Sequence, residues 1–317
     1  MNYSDTESPP AIFLMGPTAS GKSAVAMEIA RRFPVEIISV DSAQVYRHMN
    51  IGSAKPDQSV QAEIAHHLID LINPDENYSA AQFREDALCA MQEITARGKI
   101  PLLAGGTMLY FKVLRQGLAA LPAADDVLRK ELERSATERG WPAMHAVLNT
   151  LDPVTASRIQ SNDRQRIQRA LEVCYLTGKP MSEVLQQQQN STFPYRVINL
   201  ALLPSDRRAL HDRIAQRFGQ MLKMGLVDEV RMLCDRFQLT ADMSAMRCVG
   251  YRQVYMYLAN EVSLAEMQER GVFATRQLAK RQLTWLRAMD DLQVFDCLTD
   301  QLTQQVADFI QQQRIFS

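Results

Sequence analysis

The residues best suited to chemistry form one run near the N-terminus, GPTASGKS, with the spacing GxxxxGK[ST]. In such a loop the backbone N–H groups converge on a phosphate at the start of a helix, where the helix dipole favours an anion. The lysine adds a positive charge, and the final serine adds a hydroxyl that suits Mg²⁺. The sequence therefore predicts a phosphate loop with Ser23 as a Mg²⁺ ligand. Its members are Gly16, Pro17, Thr18, Ala19, Ser20, Gly21, Lys22 and Ser23.

An acidic residue should accompany this loop, because phosphate loops usually share their Mg²⁺ with an acid at a strand end. The apolar residues 100–104 are followed by Gly-Gly-Thr and no acid, whereas Asp41 directly follows the strand-like run 35–40. In a doubly wound sheet Asp41 and Thr107 would both lie at the carboxyl edge, where ligands bind. Asp41 is predicted to be a metal ligand or a general base, with a turn residue as the alternative.

Arg217 lies within the apolar stripe of the amphipathic residues 205–222, on the same face as Leu210 and Ile214. A guanidinium that faces a core needs an anion, because leaving a buried charge unpaired costs about 3–5 kcal/mol. That anion is either a buried carboxylate or the phosphate of a ligand. The phosphate loop favours the second interpretation.

Alternating strand and helix patterns are predicted to position these residues. Strands are predicted at 11–16, 35–41, 100–106 and 197–203, weaker strands at 66–72 and 294–297, and helices at 21–33 and 79–97. Between 125 and 189 the pattern is purely helical, at 125–139, 141–149, 153–159, 164–177 and 181–188, with Asp152 and Asp163 as N-caps.

These elements predict an α/β fold: a P-loop NTPase-like, doubly wound, mostly parallel sheet with an all-helical insertion domain. Residues 1–120 would form the first part of the core, 121–195 the insertion, and 196–317 a mostly helical second part.

The composition excludes several classes of protein. The 317 residues are 46% hydrophobic, with 35 Lys+Arg against 36 Asp+Glu, which is typical of a globular protein and not of a disordered one. No apolar run approaches the roughly 20 residues of a membrane span, and the N-terminus lacks the pattern of a signal peptide. Five widely spaced cysteines without a CxxC pair predict reduced thiols in a cytoplasmic protein, without a zinc finger.

Two stretches, residues 163–172 and 275–287, are locally basic although the formal net charge is −1. Residues 247–252 add two arginines and a tyrosine around a glycine. A solvated charged face or an ordinary turn explains each of them alone. Their combination with a phosphate site favours a polyanionic partner, whose backbone arginine and lysine would contact.

Taken together, these residues resemble the bacterial tRNA dimethylallyltransferases, or tRNA isopentenyltransferases, along nearly the whole chain. The phosphate loop is shared by many NTPases, whereas VDSAQVY and KRQLTWLR are much more specific. The zinc finger of larger relatives has no matching Cys/His spacing here. The similar segments are GPTASGKS at 16–23, ISVDSAQVYRHMNIGSAKP at 38–56, YSAAQFR at 78–84, GGTMLYF at 105–111, LHDRIAQRFGQM at 210–221, RCVGYRQ at 247–253 and TRQLAKRQLTWLR at 275–287.

The resemblance implies transfer of the dimethylallyl group of dimethylallyl diphosphate to the N6 amine of the adenosine 3′ to the anticodon. The phosphate loop would then hold diphosphate and Mg²⁺; whether ATP also binds there, and whether Asp41 ligates the metal, stays open. The adenine would be flipped out of its stack. Asp41 would accept the amine proton, Thr107 would lie near the bridging oxygen, and Arg217 would stabilise the leaving group.

The resemblance also implies a monomeric cytoplasmic enzyme that does not associate with membranes and binds the anticodon stem-loop of tRNA. The helical insertion would act as a clamp. The residues implied to contact tRNA are Asp41, Ser42, Ala43, Gln44, Thr107, Arg129, Gln165, Arg166, Ile167, Gln168, Arg169, Arg247, Cys248, Val249, Gly250, Tyr251, Arg252, Lys280, Arg281, Gln282, Leu283, Thr284, Trp285, Leu286 and Arg287.

Two other classes of function remain as alternatives. A small-molecule or nucleoside kinase would use the same loop for ATP and Asp41 as the base for a hydroxyl, but the basic helices would then have no role. A non-catalytic RNA-binding adaptor with a vestigial loop would keep its function after Lys22→Ala.

Overall fold

The computed structural model describes residues 8–117, 121–186 and 192–316. The chain divides into two compact units, Met1–Arg115 with Phe193–Ser317, and Gln116–Thr192. Within the described ranges, no helix combines the length and apolarity that crossing a membrane requires. The five cysteines, all of them described, are free thiols.

A parallel sheet forms the centre of the first unit. Its strands are β1 (Pro10–Met15), β2 (Val35–Val40), β3 (His66–His67), β4 (Ile100–Gly105), β5 (Arg196–Leu203) and β6 (Gln293–Asp296). They lie in the order β3-β2-β4-β1-β5-β6, and all five pairs are parallel. The predicted α/β class and doubly wound sheet are confirmed.

One predicted strand is much shorter than the pattern 66–72 indicated. β3 ends at His67 because Leu68 and Asp70 adopt positive φ values of 61° and 57°. This left-handed conformation is incompatible with an extended strand. The apolar residues of this segment therefore lie in a bend, at the end of which Ile72 forms an isolated parallel bridge with Tyr46.

Helices cover both faces of the sheet. They are α1 (Lys22–Arg32), α2 (Gln58–Glu63), α3 (Ala80–Ala96) and α4 (Met108–Gln116), followed after the second unit by α10 (Arg207–Lys223), α11 (Leu226–Phe237), α12 (Tyr251–Leu258), α13 (Leu264–Arg287) and α14 (Leu302–Gln312). Ile12 and Leu14 of β1 pack in the cluster that contains α1 and α14, whereas Phe13 and Met15 pack with α3 and α4. This period of two explains why β1 is apolar throughout.

The second unit is entirely helical in its described part, as the sequence predicts. Its helices are α5 (Asp126–Arg139), α6 (Trp141–Leu151), α7 (Pro153–Ala156), α8 (Arg164–Thr177) and α9 (Met181–Gln186). The predicted caps are confirmed, because the carboxylates of Asp152 and Asp163 accept hydrogen bonds from the N–H groups of Thr155 and Arg166. The predicted helix 153–159 is shorter and ends in turns after Ala156, and residues 187 and 188 lie outside the described residues.

A fully buried carboxylate connects α5 to α8 in this unit. Glu172 accepts hydrogen bonds from Arg129 at 2.9 Å, from Arg169 at 2.6 Å and from the N–H of Asp125 at 2.9 Å. Burial alone would raise the pKa of Glu172, but these hydrogen bonds offset that effect and lower the pKa below its ordinary value. The ionised form of Glu172 therefore stabilises the unit.

We expect Glu172→Gln to lower the free energy of unfolding by about 3 kcal/mol at neutral pH, because it leaves two arginines without their shared anion. Folding lowers the pKa of Glu172. The stabilisation by its ionised carboxylate is therefore fully present above the pKa that Glu172 has in the unfolded chain, and it is lost as the pH falls through the pKa in the folded protein. Urea unfolding at neutral and acid pH measures both effects. The exposed Glu131→Gln on α5 is the control; equal losses for the two variants would contradict the prediction.

Candidate active site

The phosphate loop lies between β1 and α1, as its motif requires. Gly21 precedes α1 with a φ of 85°, and no side chain caps the helix, so the N–H groups of its first turn are available to an anion. Gly16 must lack a side chain, because a Cβ there would lie 2.8 Å from the Ser20 hydroxyl oxygen and 2.9 Å from the carbonyl oxygen of Leu202. The loop is thus formed by backbone groups held close to the sheet.

Lys22 is the cation of this loop. Its Nζ donates a hydrogen bond to the carbonyl oxygen of Pro17 at 2.7 Å, which leaves its other protons for a ligand. Burial, and secondly the positive charge of Arg217, lower the pKa of Lys22 to about 8, although Asp41 opposes the shift. The ammonium group is therefore stabilised poorly by the protein alone and would gain from a bound anion.

This shift predicts how substrate capture depends on pH. Because the pKa of Lys22 is about 8 in the free protein, the ammonium loses its proton as the pH rises above that value. We expect kcat/KM for an anionic substrate to fall above pH 8, since kcat/KM reports the ionisation of the free enzyme. A pH profile of kcat/KM from 6.5 to 10 would check this, with Lys22→Arg as the control that removes the decline. A flat wild-type profile would contradict the prediction.

Asp41 and Thr107 follow neighbouring strands, because Val40 at the end of β2 pairs with Gly105 at the end of β4. Asp41 Oδ1 accepts a hydrogen bond from the N–H of Ala43 at 2.8 Å, and Thr107 Oγ1 accepts one from the N–H of Ser42 at 3.1 Å. In the described part of the chain Asp41 Oδ2 has no hydrogen-bond partner. Both side chains are therefore held by the same short loop, with one carboxylate oxygen left for a ligand.

Arg217 is half-buried on α10 and lines a cavity together with Lys22 and Asp41. Burial lowers the pKa of its guanidinium, and the negative charge of Asp41 partly offsets this. No carboxylate among the described residues forms an ion pair with Arg217. Of the two interpretations that the sequence left open, the described residues thus supply no ion-paired carboxylate, and binding of a ligand phosphate stays a prediction.

A cavity of about 880 Å³ brings most of the predicted site together. The apolar part of its wall includes Ile214, Phe218 and Met221 of α10, which the sequence did not assign to a site. The predicted residues that line it are Thr18, Ala19, Gly21, Lys22, Ser23, Asp41, Ser42, Ala43, Gln44, Thr107, Arg217, Arg247, Cys248, Val249, Gly250, Arg281, Gln282 and Trp285.

Other predicted residues do not reach this cavity. The side chains of four residues implied to contact tRNA are instead buried in hydrophobic clusters and support the surface from within. They are Ile167, Tyr251, Leu283 and Leu286. Apolar side chains at helical spacing within a basic stretch form its inner face. The exposed members outside the cavity are Arg252, Lys280, Thr284 and Arg287 in the first unit and Gln165 and Arg166 in the second.

Two glutamines of the predicted site use their amides inside the protein. Gln44 accepts a hydrogen bond from Ser39 Oγ at 2.7 Å and donates to the carbonyl oxygens of Ser53 and Ala54 at 3.3 and 3.4 Å. The side chain of Gln282 is 8% exposed and is likewise bonded to backbone groups. A buried amide needs such partners, so neither side chain is a free hydrogen-bonding group.

Glu229 supports the cavity wall and was not found from the sequence. Its buried carboxylate accepts hydrogen bonds from the N–H groups of Asn50, Ile51 and Gly52 at 3.1, 2.8 and 3.3 Å, and from the hydroxyl of Tyr251 at 2.7 Å. It thereby joins the segment that carries Gly52 to the start of α12. No local pattern marks this role, because the three bonded N–H groups lie about 180 residues away along the chain.

The donor set at the cavity fits Mg²⁺. The Ser23 hydroxyl and the Asp41 carboxylate are both hard oxygen ligands that line the cavity. Mg²⁺ usually keeps several waters and binds through one or two protein oxygens together with substrate phosphates. The described residues contain no group of three or more His, Cys, Asp or Glu side chains that could hold a metal by themselves.

Known proteins match this chain over most or all of its length. A family model described as IPP transferase matches residues 44–289. The tRNA dimethylallyltransferases of Nitrosomonas eutropha and Nitrosomonas europaea are 76% and 74% identical to this chain, and each alignment covers 100% of both sequences. The chain belongs to the tRNA dimethylallyltransferase family. Its activity is that of a tRNA-modifying prenyltransferase.

Solved structures of tRNA prenyltransferases share the fold. The tRNA isopentenylpyrophosphate transferase of Bacillus halodurans is 35% identical, with a TM-score of 0.70 and coverage of 96% of each chain. A eukaryotic dimethylallyltransferase acting on tRNA is 27% identical, with a TM-score of 0.80 and coverage of 96% of this chain and 80% of that one. For this member of the family, the cavity described above is thus the candidate active site.

Proposed function

We propose that the enzyme transfers the dimethylallyl group of dimethylallyl diphosphate to the N6 amine of the adenosine 3′ to the anticodon, within this cavity. One observation carries the proposal: two cations, Lys22 and Arg217, and one carboxylate, Asp41, line a single cavity with an apolar wall. The cations suit a diphosphate leaving group, the wall suits a prenyl chain, and the carboxylate suits a proton acceptor.

The diphosphate would lie at the N-terminus of α1. The first-turn N–H groups and the Lys22 ammonium would hold it, and the Arg217 guanidinium would stabilise the charge that develops as the C–O bond breaks. When bound at Ser23, Mg²⁺ would neutralise part of that charge. Arg217 is suited to this role because it has no carboxylate partner among the described residues.

The dimethylallyl chain would lie against Ile214, Phe218 and Met221 of α10. Phe218 is held tightly, since a Cβ at Gly271 of α13 would lie 2.1 Å from its ring. Burying the five-carbon chain against this wall excludes water from a reactive allylic carbon. Transfer to the amine is thereby favoured over hydrolysis.

The adenine amine would approach from the side of Asp41. As the N6 nitrogen forms its bond to the allylic carbon, the electron pair of the breaking C–O bond leaves with the diphosphate, and the surplus N6 proton passes to Asp41. The hydrogen bond from Ala43 N–H fixes one oxygen of Asp41, so that the other can accept this proton. Thr107 would lie near the bridging oxygen, beside Asp41.

Basic and aromatic side chains around the cavity support tRNA as the partner. Arg247, Arg281 and Trp285 line it, and Lys112 Nζ lies 5.8 Å from the centroid of the Trp285 ring. Aromatic rings flanked by cations bind unstacked nucleotides. As the family resemblance implies, we propose a monomer that works on tRNA in the cytoplasm.

In the helical unit, Arg166 is the exposed arginine of the predicted set. Its side chain is 72% exposed and forms a surface ion pair with Asp163 at 3.3 Å, which a phosphate can replace, whereas Arg129 and Arg169 are bonded to the buried Glu172. We expect Arg166→Ala to weaken tRNA binding and to lower the slope of log K against log salt by about 1. Filter binding at several salt concentrations measures this, with the exposed Arg134→Ala as the control. An unchanged slope would remove Arg166 from the interface.

The decisive experiment incubates the protein and Mg²⁺ with unmodified tRNA and with labelled dimethylallyl diphosphate or labelled ATP in parallel. Mass analysis of the anticodon nucleosides should detect N6-(dimethylallyl)adenosine, with release of diphosphate. Label transfer from ATP alone would instead support a kinase. Turnover that is unaffected by Lys22→Ala would contradict a role for the phosphate loop.

A further inference from the structure

The side chain of Gln282 joins two parts of the active site from within the protein. Gln282 lies on α13 and is 8% exposed. Its Oε1 accepts a hydrogen bond from the N–H of Thr18 at 2.9 Å, and its Nε2 donates one to the carbonyl oxygen of Gly106 at 2.9 Å. One planar amide therefore bridges the phosphate loop and the strand end that carries Thr107.

The bond to Thr18 sets the shape of the phosphate loop. The N–H groups of such a loop normally point towards the phosphate, but that of Thr18 is directed to Gln282. The next residue, Ala19, has a φ of 63°, a conformation that costs energy and needs support from its surroundings. Gln282 supplies a fixed acceptor next to this strained position.

The bond to Gly106 sets the position of Thr107. A Cβ on Gly106 would lie 2.4 Å from Gln282 Nε2, so the amide lies directly against this glycine. Gly106 immediately precedes Thr107, whose hydroxyl is bonded to the loop after Asp41. The same amide thus determines the spacing between the phosphate loop and the Asp41–Thr107 pair.

We infer that Gln282 is a positioning residue, which holds the diphosphate-binding loop and the Thr107 strand end at a fixed distance for the transfer step. The inference rests on the proposed function, since it assumes that diphosphate lies in the loop. It replaces the tRNA contact that the family resemblance implied for Gln282, because both ends of the amide are already bonded inside the protein. The exposed neighbours Lys280 and Arg281 of α13 remain available to tRNA.

The test is Gln282→Leu, which keeps the size of the side chain and removes both hydrogen bonds. We expect kcat/KM for dimethylallyl diphosphate to fall about 10²-fold, because misplacing reacting groups by about 1 Å has an effect of this size. The affinity for inorganic diphosphate, measured by calorimetry, should fall as well. The Kd for an anticodon stem-loop should stay within about twofold of the wild-type value, because Gln282 does not contact tRNA in this arrangement.

Two further variants keep the inference falsifiable. Gln268→Leu is the same change at an exposed position of α13 and should leave all three quantities unchanged. Gly106→Ala disturbs the Gln282 bond from the other side, and it carries the test if Gln282→Leu does not fold. In the double variant the two losses should not add, because they remove the same interaction.

Two outcomes would overturn the inference: a raised Kd for the stem-loop with unchanged diphosphate affinity, which would make Gln282 a tRNA contact, or wild-type kinetics for Gln282→Leu. Failure of the proposed function is seen separately, as absence of modified adenosine with the wild-type enzyme.

Discussion

Asp41→Asn should lower kcat about 10²–10⁴-fold, the usual contribution of a positioned general base. Asparagine keeps an oxygen that can accept the hydrogen bond from Ala43 N–H at Oδ1, so the loop that carries Ser42 retains its support. It has no basic oxygen for the N6 proton. The Kd for tRNA should therefore change little, because proton transfer is needed only during the reaction. Single-turnover kinetics and stem-loop binding measure the two quantities independently.

The matched control for this variant is Asp75→Asn, which makes the same change at an exposed position. It should leave kcat and tRNA affinity unchanged. If Asp41→Asn weakened tRNA binding as much as turnover, Asp41 would be a binding residue. If kcat fell less than twofold, another group would have to take the proton.

Arg217→Met should lower kcat/KM for dimethylallyl diphosphate about 10²–10³-fold, as expected when one preorganised donor to a developing negative charge is removed. The folded protein should be at least as stable as the wild type, because the guanidinium is half-buried and forms no ion pair with the described residues. Burying such a cation costs free energy, and methionine keeps most of the apolar contacts. Steady-state kinetics and urea unfolding would show activity and stability changing in different directions.

Arg208→Met is the control, since Arg208 is an exposed arginine in the first turn of the same helix. Its activity should match that of the wild type. A large loss of stability in Arg217→Met, with normal activity per folded molecule, would give Arg217 a structural role and would contradict its assignment to the leaving group.

Several parts of the active site follow from short stretches of sequence. The phosphate loop is local: Gly16 and Gly21 permit a backbone that residues with side chains adopt poorly, so eight consecutive letters describe its geometry. Asp41 was located because the end of a buried strand is visible in the apolar pattern. Arg217 was located because a cation within the apolar stripe of a helix needs an anion as its partner. Each of these signals spans no more than a few helical turns or one strand.

Other features of the site depend on residues far apart in the chain. Gln282 stood within a basic helical stretch that indicated a tRNA contact, and only the packing of α13 against two loops shows that its amide faces inward. Glu229 resembled an ordinary acid in the first turn of a helix, yet it holds the segment around Gly52. The early end of β3 after His67 depends on positive φ values that the apolar residues of the segment do not reveal.

By itself the sequence determined the phosphate loop, the parallel α/β sheet with its inserted helices, and the residues at the strand ends. The loop and each single strand or helix depend on residues close together in the chain, which periodicity and spacing record, and the alternation of strands with helices favours a parallel sheet. The tertiary structure decided which polar side chains face the cavity and which are used to hold it. That choice depends on the hydrogen-bond partners that folding brings within about 3 Å, and a buried amide or carboxylate is committed once such partners surround it.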